Sequence, residues 1–169
     1  ALSGAVLQAA ELGGAAFSNS KLTGARVARM SAAGASLAGC ELADVDLSGL
    51  DLSGCDLGGA VLSRARFAGC DLSEARLAEA DARGADFGGA RLVRTDLSGA
   101  DLREASLARA TLDRCRLNGA QLGGADLRDA RLESCRAAGI DFTSTQLAGT
   151  AFPGCDLADT SFEGLDVSG

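Results

Sequence analysis

The chain has 169 residues, 47% of them hydrophobic, and a formal net charge of −7. That size and apolar content fit one folded domain rather than a disordered segment, and the negative balance excludes a general nucleic-acid binder, which needs clustered Lys and Arg against phosphate. Six Phe are the only aromatic residues and His is absent, which leaves little general acid–base chemistry.

From Leu2 to Val167 every fifth residue is apolar: 34 positions carrying 23 Leu, six Phe, two Val and three Ala. All six Phe (Phe17, Phe67, Phe87, Phe142, Phe152, Phe162) fall in this register. The positions two residues earlier, Ala5 to Leu165, hold small groups: 17 Ala, four Thr and all six Cys among 33. Between the two lies a polar-tending position, Asp in 12 cases, and two residues after the large apolar position Gly occurs 19 times. Residues 44–57, DVDLSGLDLSGCDL, show the pattern without interruption.

A spacing of two places the small and large apolar residues on one side of a short extended segment. A period of five would turn the next pair outward if the strand simply continued, so each unit must turn a corner, at the recurrent Gly. A chain that repeats this turn winds into an all-β solenoid with a filled interior, whose coils stack as parallel strands about 4.8 Å apart.

Along the chain, residues 1–40 hold Lys21, Arg26 and Arg29 against one acid, Glu11. Arg26, Asp46, Arg66 and Asp86 form a series of alternating sign at intervals of 20, an expected surface ladder. Cys40, Cys55 and Cys70 recur at 15, whereas Phe67/Phe87, Phe142/Phe162 and Cys115, Cys135, Cys155 recur at 20, so residue spacing alone leaves the coil length open. Pro153, beside Gly154, stands where a corner begins and supplies a turn-compatible φ. After Arg136 no basic residue follows, and Asp141, Asp156, Asp159, Glu163 and Asp166 make the C-terminal end acidic, a candidate partner-binding end.

Units such as Ala100-Asp101-Leu102-Arg103-Glu104 and Ala125-Asp126-Leu127-Arg128-Asp129 resemble the pentapeptide-repeat family, and the resemblance spans residues 1–169 as one domain. It implies a right-handed quadrilateral parallel β-helix with four units per coil. About eight coils would then stack to roughly 40 Å.

No catalytic, cofactor or metal site is read from the residues. The cysteines form no C-x-x-C pair and have no His to complete a zinc site; they are expected as buried reduced thiols filling the Ala slot, which suits the cytoplasm. Stacked coils do not present the vectors a disulfide needs. The Asp residues are expected to accept local backbone hydrogen bonds at the corners. Gly pairs such as Gly58-Gly59 lack the G-K-[ST] of a phosphate loop. No apolar run approaches the ~18 residues of a membrane span, and no signal peptide is legible.

The function expected is therefore a non-enzymatic scaffold or protein-interaction module, part of a larger bacterial protein. Both ends stop in repeat register, so self-association through solenoid ends is expected as cover for exposed edges. The resemblance also implies an alternative, binding and protection of a type II topoisomerase (gyrase or topoisomerase IV) by mimicry of duplex DNA. Duplex DNA carries a charge per ~1.7 Å, on the order of 23 over ~40 Å, against −7 here. A designed, consensus-like solenoid is a third reading, opposed by irregular residues such as Met30, Val93 and Arg136.

Overall fold

The computed structural model describes residues 14–21 and 32–163. Every bridge between coils joins parallel backbone at i and i+20, as in Ser36↔Asp56, Asp51↔Asp71 and Arg66↔Asp86. Paired positions are thus separated by four five-residue units, and the interval of 15 shown by Cys40, Cys55 and Cys70 is not the coil. The bridges fall in four columns, each made of the polar-tending position of successive coils. The fold is a repeat β-helix.

One unit shows why these residues form it. Leu52 N–H donates to the Asp71 carbonyl (2.8 Å) and Gly54 N–H to that of Ser73 (2.8 Å), while Asp71 N–H returns to the Leu50 carbonyl (3.1 Å). Cys55 N–H closes a turn onto the Leu52 carbonyl at 3.1 Å, and Gly54 has φ of 64°. Positive φ at the third residue alone is a type II turn. Phe152-Pro153-Gly154-Cys155 is the same turn, with Pro at its second residue, Gly154 at φ 66° and a 3.3 Å closing bond. The expectation for Pro153 holds.

Full stacked strands were expected along the solenoid. Among the described residues only three segments extend that far: β1 (Arg91–Val93), β2 (Thr111–Asp113) and β3 (Arg131–Glu133). They form one parallel sheet in the order β1-β2-β3, with Leu92, Leu112 and Leu132 in register. Elsewhere each contact is a single-residue bridge, and the backbone closes directly into its turn, as Cys55 N–H does onto the Leu52 carbonyl.

The interior is filled by the five-residue register. From Ala32 to Phe142 every residue at the large and small positions is buried. Phe67 and Phe87 stack with centroids 4.9 Å apart, and Phe142, Phe152 and Phe162 cluster at 5.0–6.2 Å. Phe152, Leu157 and Phe162 are only partly buried. Burial of this continuous apolar column is the main stabilising term, as in other repeat proteins where each unit contacts only its neighbours.

Candidate interaction surfaces

With the apolar register turned inward, chemistry is left to the outward columns and the corners. Eleven Asp at the polar-tending position are described, and each accepts the backbone N–H two residues on; examples are Asp46 to Ser48 (3.0 Å), Asp86 to Gly88 (2.9 Å) and Asp126 to Arg128 (3.0 Å). The N–H at the turn's second residue has no ladder partner, so a short carboxylate just before it meets an orphan donor. Where Arg follows at that residue, the pair is also bidentate: Arg83 on Asp81 (2.8 and 2.7 Å), Arg103 on Asp101 (2.8 and 2.6 Å), Arg128 on Asp126 (2.9 and 2.6 Å). The Arg83 guanidinium and a hydroxyl from Ser63 hold the Asp81 carboxyl down at about 2. Asp101 and Asp126 are lowered for the same first reason, an Arg hydrogen bond.

The expected ladder of alternating sign is partly formed. Arg66 pairs with Asp46 at 3.3 Å. Arg66 and Asp86 are bridged through their backbones but make no salt bridge among the described residues, and Arg26 lies outside those residues.

The cysteines are all free, five of them buried and Cys155 partly so. They do more than fill the Ala slot. Each thiol donates to the carbonyl 23 residues earlier, at 2.7 Å for Cys55 to Ala32, 2.9 Å for Cys70 to Leu47 and 3.0 Å for Cys115 to Leu92. Thr95, Thr145 and Thr150 make the same contact with their hydroxyls, to Leu72, Leu122 and Leu127. Exchange of Cys and Thr at one slot was the available sequence sign, since the two share a side-chain donor and little else. Burial pushes Cys55 and Cys70 up to about 11. Cys135 is pushed up by its hydrogen-bonded neighbour Cys115 and by burial. A raised, buried thiol is a poor nucleophile, which sets Cys55 and Cys70 apart from reactive cysteines.

Of the acidic C-terminal residues, Asp141, Asp156, Asp159 and Glu163 are exposed, and Asp166 lies outside the described residues. Asp141 bridges Ser161 and Asp156 bridges Arg136, so Asp141 and Glu163 share one side, Asp156 stands on the preceding side, and Asp159 occupies the corner between them. None makes a salt bridge among the described residues. Asp141 accepts from both the hydroxyl and the N–H of Thr143, which lowers its pKa. No group of His, Cys, Asp and Glu among the described residues is arranged to hold a metal ion, and no helix is long and apolar enough to cross a membrane. An arginine-lined corner around Arg76, Arg94, Arg114, Arg116 and Arg136 was not legible in the sequence: its residues converge only once the interval of 20 is known.

A coil of four five-residue units, closed by type II turns and filled by one apolar column per corner, defines a pentapeptide-repeat β-helix. Family models agree: pentapeptide repeats match residues 2–37, 20–59 and 60–99, and a pentapeptide repeat region matches 91–162. The chain belongs to the pentapeptide-repeat family. Among solved structures, it is similar to HetL, a pentapeptide repeat protein involved in heterocyst differentiation regulation in the cyanobacterium Nostoc sp. strain PCC 7120. There the identity is 28%, with 94% of this chain and 87% of that one covered and a TM-score of 0.49. A pentapeptide repeat protein of the Arabidopsis thaliana thylakoid lumen matches at 23% identity over 77% of this chain and 70% of its own, with a TM-score of 0.39. Full-length QnrB1, a plasmid-mediated fluoroquinolone resistance protein, matches at 20% identity over 94% and 89%, with a TM-score of 0.44. No curated protein sequence matches the chain.

Proposed function

We propose that the chain is a non-enzymatic protein-interaction module, a right-handed four-sided β-helix of about eight coils that offers fixed columns of side chains to a protein partner. The observation that carries this reading is the locking of the outer columns. The Asp carboxylates are held by backbone N–H groups and by Arg forks, so the surface is an ordered array, and ordering lost before binding is not lost again on binding. Immobilised chain should retain a defined protein from a bacterial lysate, identified by mass spectrometry, and retention should weaken in the variant Asp141→Asn/Asp156→Asn/Asp159→Asn/Glu163→Gln. A lysate from which nothing is retained in repeated trials overturns the reading.

The carboxylates Asp141, Asp156, Asp159 and Glu163, exposed and without a salt bridge among the described residues, favour a second reading, in which this acidic end engages a type II topoisomerase in place of DNA phosphates. Supercoiling by gyrase in the presence of a quinolone tests it: neither inhibition nor protection at micromolar chain refutes it. The half-buried Phe152, Leu157 and Phe162 support end-to-end association. Light scattering should then show a mass that rises with concentration, and a constant monomer mass counts against it.

A further inference from the structure

One corner of the β-helix carries the longest run, among the described residues, of side chains at the positive-φ position; shorter runs on other corners are Asp44 with Arg64 and Arg109 with Asp129. At most turns the third residue is Gly, as in Gly54, Gly89 and Gly119, and its positive φ is free of strain. On the corner that follows β1, β2 and β3, four successive coils place Glu74 (φ 62°), Arg94 (57°), Arg114 (54°) and Ser134 (54°) there instead, with Gly54 and Gly154 in the same column on either side. Side chains in this left-handed region are unfavourable, and retained strain of this kind concentrates at functional sites. The corner is also open. The turns Leu92–Thr95, Leu112–Cys115 and Leu132–Cys135 make no closing backbone hydrogen bond among the described residues, whereas Ala75 N–H still closes onto Leu72 at 3.0 Å.

Across the corner runs the first column of the next side, Arg76, Asp96, Arg116 and Arg136, joined rung to rung. The two columns wall an open groove with five arginines, Arg76, Arg94, Arg114, Arg116 and Arg136, against two carboxylates, Glu74 and Asp96. Arg94 pairs with Glu74, Arg116 with Asp96 at 3.7 Å, and Arg114 with Asp113 at 3.8 Å. Arg76 and Arg136 make no salt bridge among the described residues. This is a cationic strip on a chain of net charge −7, and Arg76 to Arg136 spans three rungs, about 14 Å.

Resting on the interaction-module reading, we propose that this groove binds an extended, carboxylate-rich peptide segment of a partner protein. Guanidinium forks match carboxylates bidentately. An extended peptide advances about 3.3 Å per residue, so four or five residues cover the strip, with alternate side chains facing it. Single-stranded nucleic acid fits less well: its binders add exposed aromatic stacking surfaces, whereas every Phe here lies in the inward register and the net charge of −7 repels a polyanion.

The test is anisotropy of fluorescein-labelled octaglutamate with the full chain at low salt, with octathymidylate of equal length as comparison. Octaglutamate should bind, more weakly as salt rises, and Arg76→Gln/Arg136→Gln should reduce affinity about tenfold. The control Arg64→Gln/Arg109→Gln, on other corners, should change it less than about twofold, circular dichroism confirming the fold of each. Absence of octaglutamate binding, equal loss in both variants, or tighter binding of octathymidylate each overturns the proposal. If octaglutamate fails while immobilised chain still retains a lysate protein, only this groove falls; if both fail, the module reading falls with it.

Discussion

Replacing Phe67 by Ala removes the ring from a site with no solvent exposure and from a stack with Phe87 at 4.9 Å and 5° between planes. A buried Phe→Ala change costs about 3–5 kcal/mol, more where the surroundings cannot relax. Here they are pinned: Phe67 N–H donates to Asp86 at 2.6 Å, Gly69 N–H to Gly88 at 2.9 Å, and Cys70 N–H closes the turn at 3.0 Å. Lost aromatic pairing adds about 0.5–1.5 kcal/mol, so the upper part of the range, about 4–5 kcal/mol, is expected. That is a large fraction of the ~5–15 kcal/mol by which domains are stable. Phe67→Leu restores the commonest residue of the register, between Leu47 and Phe87, and should cost only about 1–2 kcal/mol. Urea titration followed by circular dichroism measures both, and hydrogen exchange should place the extra opening in the coils around residues 47–87. A loss under about 2 kcal/mol for Ala, or equal losses for Ala and Leu, refutes the view that a pinned backbone holds the cavity open.

Gly69 has φ of 67° with nothing within 4 Å of a Cβ built there, so Gly69→Ala should cost about 1 kcal/mol through backbone strain alone. Gly69→Asn should cost less, as Asn19 at φ 57° suggests, and a thermal melt ranking Asn below Ala contradicts this. Asp81 is held down to about 2 and Asp46, Asp71, Asp96, Asp101 and Asp126 are also lowered. A carboxyl lowered by folding stabilises above its unfolded value near 3.9, and that stability is lost as pH falls through the folded value. The melting temperature should therefore drop between about pH 4 and pH 2, and Asp81→Asn should flatten the drop. Cys55 and Cys70 are raised to about 11; their contribution holds below the unfolded thiol value near 8.5 and fades as pH rises through 11. At pH 8 a chromogenic disulfide should therefore titrate neither thiol in folded protein and all six cysteines in denaturant; fast reaction of Cys55 or Cys70 in the folded state refutes their burial.

The inward wall was legible in the sequence because burial leaves a compositional trace: Leu52, Phe67 and Phe87 cannot be polar. The turn at Gly54 was legible because positive φ selects Gly. Coil length was not, since nothing about Leu52 records how sharply the chain bends at Gly54, and Cys40, Cys55 and Cys70 share a slot on different corners. The hydrogen bond from Cys70 to Leu47 was hidden for the same reason: its acceptor is 23 residues away and can be found only when the coil is known. The Asp role was foreseen in kind, while the identity of the donor, the N–H two residues on, needed the turn. The acidic end reads as one cluster along the chain, yet Asp141 and Asp156 stand on different sides.

The uniform pairing of i with i+20 makes the surface vulnerable to a change the core cannot detect. Insertion or deletion of a single five-residue unit would leave every Leu inward and every turn intact. Beyond that point it would rotate each outward residue by one side: between residues 76 and 116 it would separate Arg76 from Arg116 and Arg136, and between residues 46 and 66 it would separate Arg66 from Asp46. Duplication of 20 residues would instead lengthen the rod and keep every column aligned. Descent within such a chain should therefore tolerate change in whole coils, while gain or loss of one unit acts as a single-step exchange of binding faces.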